Sequence, residues 1–358
     1  MRVKLKDITK FSKGTQINGK NLIDDGAYSY LNGGIKPSGK WNEFNVAENT
    51  VTISEGGNSS GYVNYMNEAF WCGAHCYYLY DGPKNSKYLY YALKSQQERL
   101  FRIRSGACMP NIKKSDLGNF IIEYEEDETR QEEVVKVLEK CELLIEDYNK
   151  KLVLLDEAVR ARFVEMFGTI RENSHNYPRV TLKEVCHKIT DGKHGGCKQE
   201  DNSGYYYVGA REIYDGKIHY DTAPQITYDD FSKDYRRCNL EKGDMVIVNT
   251  GATIGKSAIA SSHLTEKTLL QKSVALIKVN SDIIIAEFLR YCYMVNPSMY
   301  MVKSASAQPN LLLSKMNSTI VYLPPIDLQR QFASFVEEID KSRLLSNHSL
   351  FLIKSIIF

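Results

Sequence analysis

Two short stretches hold residue types that could do chemistry. "VNTGATIGKS" (residues 248–257) follows an apolar run and ends in Gly-Lys-Ser, as a loop that cradles nucleotide phosphates does. Such a loop needs four residues between its first glycine and the Gly-Lys pair, and only Ala252, Thr253 and Ile254 separate Gly251 from Gly255. A cradle of backbone N–H groups depends on loop length, and the following "AIASSHLTEK" lacks the pattern of a helix whose N-terminus would help hold phosphate. A strand-end turn is expected here, not a nucleotide site. The second stretch, "WCGAHCYYLY", groups Cys72, His75 and Cys76. A tetrahedral zinc site wants four ligands, and no second cluster supplies the rest. Buried thiols beside a strand are the expectation, and no metal is assigned.

The elements that carry these stretches belong to an ordinary globular composition. The chain has 358 residues, enough for two or three domains, and a net charge of +2 that neither demands nor excludes a nucleic-acid partner. No apolar run is long enough to cross a bilayer, the start "MRVKLKDITKF" lacks an apolar signal core, and the closing "SLFLIKSIIF" is too short to span. No membrane partner is expected. The eight cysteines are scattered without a C-x-x-C, which fits a reducing cytoplasm. The 24 tyrosines suit interfaces as well as cores, because each joins an apolar body to a hydrogen-bonding tip.

The chain is written twice. Leu5-Lys6-Asp7-Ile8 resembles Leu182-Lys183-Glu184-Val185; "VTISEGGNSSG" (51–61) resembles "MVIVNTGATIG" (245–255); "SGACMPNIKKSDLGNFII" (105–122) resembles "SASAQPNLLLSKMNSTIV" (304–321). Arg130-Gln131 and Arg330-Gln331 then lead similar helical runs. Three matches in one order indicate a duplication of roughly 180 residues, each copy a mixed α/β domain followed by a helix. The first copy has Glu55 to Tyr62 where the second has Asn249 to Lys256, so it keeps the glycines and lacks Gly-Lys-Ser. The shared feature is a glycine turn with positive φ, or a close approach to a partner's backbone.

Between the copies, Arg130 to Phe167 contains no Pro or Gly, starts after acidic residues and stops at Gly168. Val134, Leu138, Cys141, Ile145, Tyr148, Leu152, Leu155 and Val159 alternate spacings of four and three, a helix-pairing seam held for about four heptads. At about 1.5 Å per residue the run makes a rod of roughly 57 Å. Its expected partner is the C-terminal run from about Asp327, apolar early (Leu328, Phe332, Phe335, Val336, Ile339) and poorer in the middle, "DKSRLLSNHS". By alignment with the first copy the chain stops about nine residues early. The second helix is therefore expected to be shortened, and weaker or completed by a partner.

Taken together the chain resembles the specificity subunits of type I restriction–modification systems. The resemblance covers essentially the whole length, and rests on the order domain, long helix, similar domain, similar helix. "LDEAVRARFVEMFG" (155–168) resembles the end of that family's central helix, and "LPPIDLQRQ" (323–331) the start of its distal helix. "ITDGKHGG" (189–196), "YYYVGAREI" (205–213) and "GDMVIVNTGATIGK" (243–256) resemble stretches of its target recognition domains. The implied fold is α+β: two similar mixed α/β recognition domains separated by long helices that form an antiparallel coiled coil. The boundaries expected are 1–125 and 169–325 for the domains, 126–168 for the central helix, and 326–358 for the distal one.

The resemblance implies a non-catalytic subunit that reads double-stranded DNA. Each domain would read one half of a split, asymmetric site. The helices would set the unread gap and dock DNA adenine methyltransferase subunits, with separate restriction and motor subunits and possible self-association through the helices. S-adenosylmethionine, ATP and Mg are expected in those partners and no cofactor in this chain. Asn296-Pro297-Ser298-Met299 is not an N-P-P-Y methyltransferase motif, and no nuclease carboxylate–lysine cluster is visible. One small domain reads only a few base pairs, so two on a rod multiply discrimination. Lengthening the rod by a turn, about 5.4 Å, should shift the spacing by about one or two base pairs.

Candidate DNA contacts fall on loops carrying glycine, amide, hydroxyl and basic groups, because Arg and Lys suit guanine and phosphate while Asn and Gln suit adenine. In the first domain these are Lys13, Thr15, Gln16, Asn32, Gly33, Lys36, Ser54, Gly57, Asn58, Ser59 and Asn111. In the second they are Asp191, Gly192, Lys193, His194, Arg211, Arg236, Arg237, Asn249, Thr250, Thr253, Lys256, Gln308 and Asn310. The alternative reading is a coiled-coil adaptor that organises partners without reading DNA.

Overall fold

The computed structural model describes residues 1–106, 108–169, 173–299 and 311–357. The chain divides into two compact units, residues 1–149 with 347–358, and residues 150–346. Each is an α+β unit, and the two follow one plan.

In the first unit the opening strand Arg2–Lys4 pairs antiparallel with Ile121–Glu123, which brings the two ends of the domain together. Between them lies an antiparallel sheet in the order Lys10–Lys13, Cys76–Tyr80, Thr50–Ser54, Val63–Met66. A second sheet pairs Tyr28–Leu31 with Gly39–Trp41 antiparallel and with Phe70–Cys72 parallel. These strands are rich in Val, Ile, Tyr and Thr, whose branched or aromatic side chains fit a pleated surface. The helix Ser86–Lys94, capped by Asn85 through the N–H of Tyr88, adds Leu89 and Leu93 to a core of Leu5, Ile53, Val63, Leu79 and Ile122.

The second unit repeats the scheme. Arg179–Thr181 pairs with Ile320–Tyr322, the main sheet runs Cys186–Asp191, Val274–Val279, Met245–Val248, Ser257–Ile259, and Tyr206–Val208 pairs parallel with Thr268–Leu270. Leu5 N–H donates to Phe120 O in one copy and Leu182 N–H to Thr319 O in the other. One element breaks the correspondence. The helix Tyr228–Cys238, capped by Thr227 and closed by Asn239 at positive φ, lies before the main-sheet strand Met245–Val248, where the first copy has no helix.

The first long helix is Glu128–Phe167. Gly168, at positive φ, ends it by donating its N–H to Val164 O. The second is Ile326–Ile357. The two fit an antiparallel coiled coil: within the second unit Phe163 and Phe167 meet Phe332 edge-on, and further along Asp156 pairs with Arg343. Phe163 is the hub of that end, touching Phe167, Phe288, Tyr291 and Phe332.

The seam differs from its expected line at one end. Val134 is 42% exposed, whereas Val135 is 9% exposed. The first turn is set by Gln131, which is buried, and the next position on its face four residues on is Val135. Cys141 and Val159 are buried, while Leu138, Ile145, Tyr148, Leu152 and Leu155 are half-buried. The polar middle of the second helix stays helical, with Ser346 buried and bonded to Ser342 O, and Arg343 reaching Asp156 and Asp340.

Candidate nucleic-acid interface

The glycine turn is built twice, bond for bond. In the first unit Ser54 N–H donates to Tyr62 O, Gly61 N–H to Ser54 O, Ser60 N–H to Gly57 O and Tyr62 N–H to Ser59 O. In the second, Val248 N–H donates to Lys256 O, Gly255 N–H to Val248 O, Ile254 N–H to Gly251 O and Lys256 N–H to Thr253 O. Gly57, Gly61, Gly251 and Gly255 all have positive φ, which is why glycine stands at these corners. Strands follow both turns, Val63–Met66 and Ser257–Ile259, so the helix that a phosphate cradle needs is replaced by the return arm of a hairpin.

The same frame carries different side chains. Glu55 corresponds to Asn249: each donates its N–H to the same carbonyl position, His75 O and Ser273 O, and accepts from Ile112 and Leu311. Tyr62 corresponds to Lys256. Gly14 and Gly192 also correspond, and a Cβ at either would lie within about 2.2 Å of a backbone oxygen, of Cys72 and Leu270 respectively. The next residue, Thr15 or Lys193, donates its N–H to that same oxygen. Each unit thus gathers its strand-end loops around one turn.

In the first unit an open cavity of about 550 Å³ lies beside the turn, lined by Ser12, Lys13, Glu55, Tyr77, Asn111, Lys113 and Lys114. Glu55 accepts from Lys13 at 2.6 Å and faces His75 at 3.3 Å. Lys113 and Lys114 were not among the expected contacts, although the "KK" after Asn111 was a basic signal next to a selected residue. Asn58, Asn111, Thr15, Gln16 and Lys36 are exposed. Asn32 lies half-buried and holds His75 N–H. Ser54 and Gly33 are buried, and the Ser54 and Ser59 hydroxyls both donate to Gly33 O. That bonding ties turn to neighbouring loop, so Ser54 and Gly33 shape the surface and do not stand on it.

In the second unit Asp191 gathers His194, at 2.8 Å, and Arg237. Burial pushes the Asp191 carboxyl up, but the hydrogen bonds from His194 and Arg237 outweigh it and hold the group below the usual carboxylate range. Lys193 pairs with Asp234 at 2.5 Å, and that hydrogen bond raises its ammonium pKa. Arg236 and Arg237 occupy the last turn of the helix Tyr228–Cys238, where a loop had been expected. The sequence supplied the signals for that helix: a Thr cap, two aspartates in the first turn and two arginines in the last. Asn249 is buried, accepts from the Thr250 hydroxyl and cannot meet a ligand without the turn opening. Thr253 is half-buried on the turn. Lys256, Arg211 and Arg236 are exposed and make no ion pair among the described residues. Gln308 and Asn310 lie outside the described residues. Lys13, Lys193 and Arg237 are the reverse case: basic groups already neutralised by carboxylates, which an approaching phosphate would have to replace.

Cys72 and Cys76 are buried with their thiols turned to backbone oxygens, and among the described residues no group of three or more His, Cys, Asp or Glu could hold a metal. No helix among the described residues is long and apolar enough to cross a membrane.

Comparison with known proteins is consistent from end to end. The profile of the type I restriction modification DNA specificity domain matches residues 1–154 and again 175–353. A protein of Mycoplasma genitalium named as a type I specificity subunit is 26% identical over 336 residues, covering 92% of this chain and 84% of that protein. One from Mycoplasma pneumoniae, named likewise, is 31% identical over 220 residues, 58% of each chain. The crystal structure of a type I restriction-modification S subunit from M. genitalium superimposes with a TM-score of 0.63 at 22% identity, over 100% of this chain and 93% of that one.

Proposed function

The chain belongs to the type I restriction modification DNA specificity family, and from that premise we propose that each unit reads one half of a bipartite, asymmetric DNA site. The observation that carries this reading is the glycine turn, kept bond for bond in two copies while the side chains on it differ. A shared frame supports the two loop clusters being presented alike to a groove. The differing groups on the turn surface, Tyr62 in one and the exposed Lys256 in the other, give the halves different sequences. The exposed Lys36, Arg211, Arg236 and Lys256 supply phosphate contacts that fix register.

The subunit is non-catalytic, as its family is, and its long helices set the gap between half-sites and seat the methyltransferase subunits. Their outer faces support the second role. Leu143, Leu144, Val153 and Leu154 on the first helix and Leu344 and Leu345 on the second are exposed, an unusual apolar load for a helix facing water. Methylome sequencing of cells carrying the system tests the proposal. The expected result is methylated adenine in a split motif, and exchange of residues 169–325 for those of another member changes one half only. A continuous motif, or both halves changing together, refutes it.

A further inference from the structure

We infer that Lys94 and Arg290 are positioning residues that clamp the return arms of the two glycine turns to the helix packed behind each, with a carboxylate beside each cation; the inference rests on the turns being DNA contacts. Both side chains are 8% exposed, a rare state for a lysine or arginine. Lys94 Nζ donates to Val63 O at 3.0 Å, and Arg290 Nε to Ser257 O at 3.4 Å. Val63 follows Tyr62 and Ser257 follows Lys256, so the two cations hold the corresponding carbonyl in each unit, one residue past the carbonyl on which the turn closes. The match is not visible by alignment, since the helices Ser86–Lys94 and Ala286–Val295 differ in length and register.

The surroundings repeat as well. Lys94 sits 3.7 Å over the Tyr62 ring and in the field of Glu142 on the first long helix, which Tyr91 holds by a hydrogen bond of 2.8 Å. Gln97, next to Lys94, bonds Gly61 O and Val63 N–H, gripping the turn from its other side. Arg290 pairs with the half-buried Glu287 at 2.9 Å, which in turn lies in the field of Asp340 and Arg343 on the second long helix. Glu142 and Asp340 stand equally far past Gln131 and Gln329, the buried amides of the two first turns. A cation needs a carboxylate nearby to be kept in such a place: for Lys94 it is Glu142 of the first long helix, and for Arg290 it is Glu287 of its own short helix. In the first unit the turn is thereby tied to the long helix that carries Glu142.

Lysine and arginine differ in one respect that makes the clamp testable. Burial lowers the Lys94 ammonium to about 8, against the pull of Glu142, whereas an arginine stays charged. The groups facing Lys94 are Glu142 from the long helix, Tyr62 from the turn, and Tyr90 and Tyr91 from its own helix. The tyrosines are held up at or above about 12 and stay neutral over the range used. Above pH 8 the neutral amine keeps a weak donor but loses the ring and the carboxylate.

The full chain, assembled with its methyltransferase, is titrated against duplexes carrying the methylated motif recovered from cells, with one half-site scrambled at a time. Between pH 7 and 9.5 the half read by the first unit should weaken about three- to tenfold, the scale of one charge-assisted contact, relative to the other half. Lys94→Arg should flatten that difference. Equal profiles for both halves, or an unchanged profile in Lys94→Arg, overturns the inference. Hydrogen exchange on Lys94→Met separates the two ideas, with residues 50–54 and 76–80 as the control for folding. Faster exchange confined to residues 55–63 is expected, and unchanged exchange there overturns the clamp. Faster exchange with undiminished retention of the first half-site leaves the clamp standing and refutes the turn as a DNA contact.

Discussion

Gln329→Met tests how the second long helix is fastened to its domain. Gln329 is 0% exposed, and its amide serves three backbone groups. Its oxygen accepts from Ile285 N–H at 2.9 Å, and its nitrogen donates to Pro324 O at 2.9 Å and Ile283 O at 3.2 Å. Methionine fills nearly the same volume and satisfies none of them. A buried polar group left unpaired costs about 1–3 kcal/mol, and the partial exposure of Ile283 and Ile285 puts these three near the low end, about 3 kcal/mol together. The apolar thioether returns about 1 kcal/mol. A net loss of about 2 kcal/mol lowers the melting temperature of a unit this size by about 4–8 °C. Gln331, which sequence matching pairs with Gln131, is exposed, and Gln331→Met should stay within about 0.5 kcal/mol. Urea and thermal unfolding of both variants, followed by far-UV circular dichroism, gives the comparison. Equal effects, or a loss below about 0.5 kcal/mol for Gln329→Met, would refute the assignment of Gln329 as the counterpart of Gln131.

Two further outcomes follow from the geometry. Val135→Asp places a carboxylate in a buried position and should cost about 3–5 kcal/mol, while Val134→Asp, one residue along and exposed, should be near neutral; denaturant midpoints of the pair decide which face is the seam. Lys256→Ala should weaken DNA retention by the assembled complex and reduce the slope of log affinity against log salt by about 1, whereas an unchanged slope removes Lys256 from the phosphate contacts.

The repeated glycine turn was legible because positive φ leaves glycine little competition, and Gly57, Gly61, Gly251 and Gly255 keep their places while the residues between them change. The length of the first helix was legible from the absence of Pro and Gly and the stop at Gly168. Where its seam enters was not. Val134 and Val135 are both apolar neighbours, and the choice was made by Gln131, a polar residue buried through bonds to Tyr124 and Glu125 that periodicity does not register. The helix pairing of Gln131 with Gln329 was hidden for a similar reason. Asp127 caps the first helix through Thr129 N–H, while Pro324 and Pro325 lead into the second, and the structural match is offset by two residues from the sequence match. Partners of the basic candidates, Asp234 for Lys193 and Asp191 for Arg237, lie more than forty residues away in sequence and come together only through the fold.

At the parallel strand pair of each unit, one position is glycine because its neighbour carries an amide. Asn32 fills the space a Cβ on Gly73 would need, at 2.2 Å from its Oδ1. In the other unit the roles are exchanged, Gln271 occupying the space beside Gly209 at 2.5 Å. The corresponding positions are Asn32 with Gly209 and Gly73 with Gln271. A genetic crossover between the copies that falls between these two positions would unite either two amides in one volume or two glycines around a void. A hybrid that keeps this packing must therefore inherit both positions from the same copy, so the paired positions travel together through any exchange between the units.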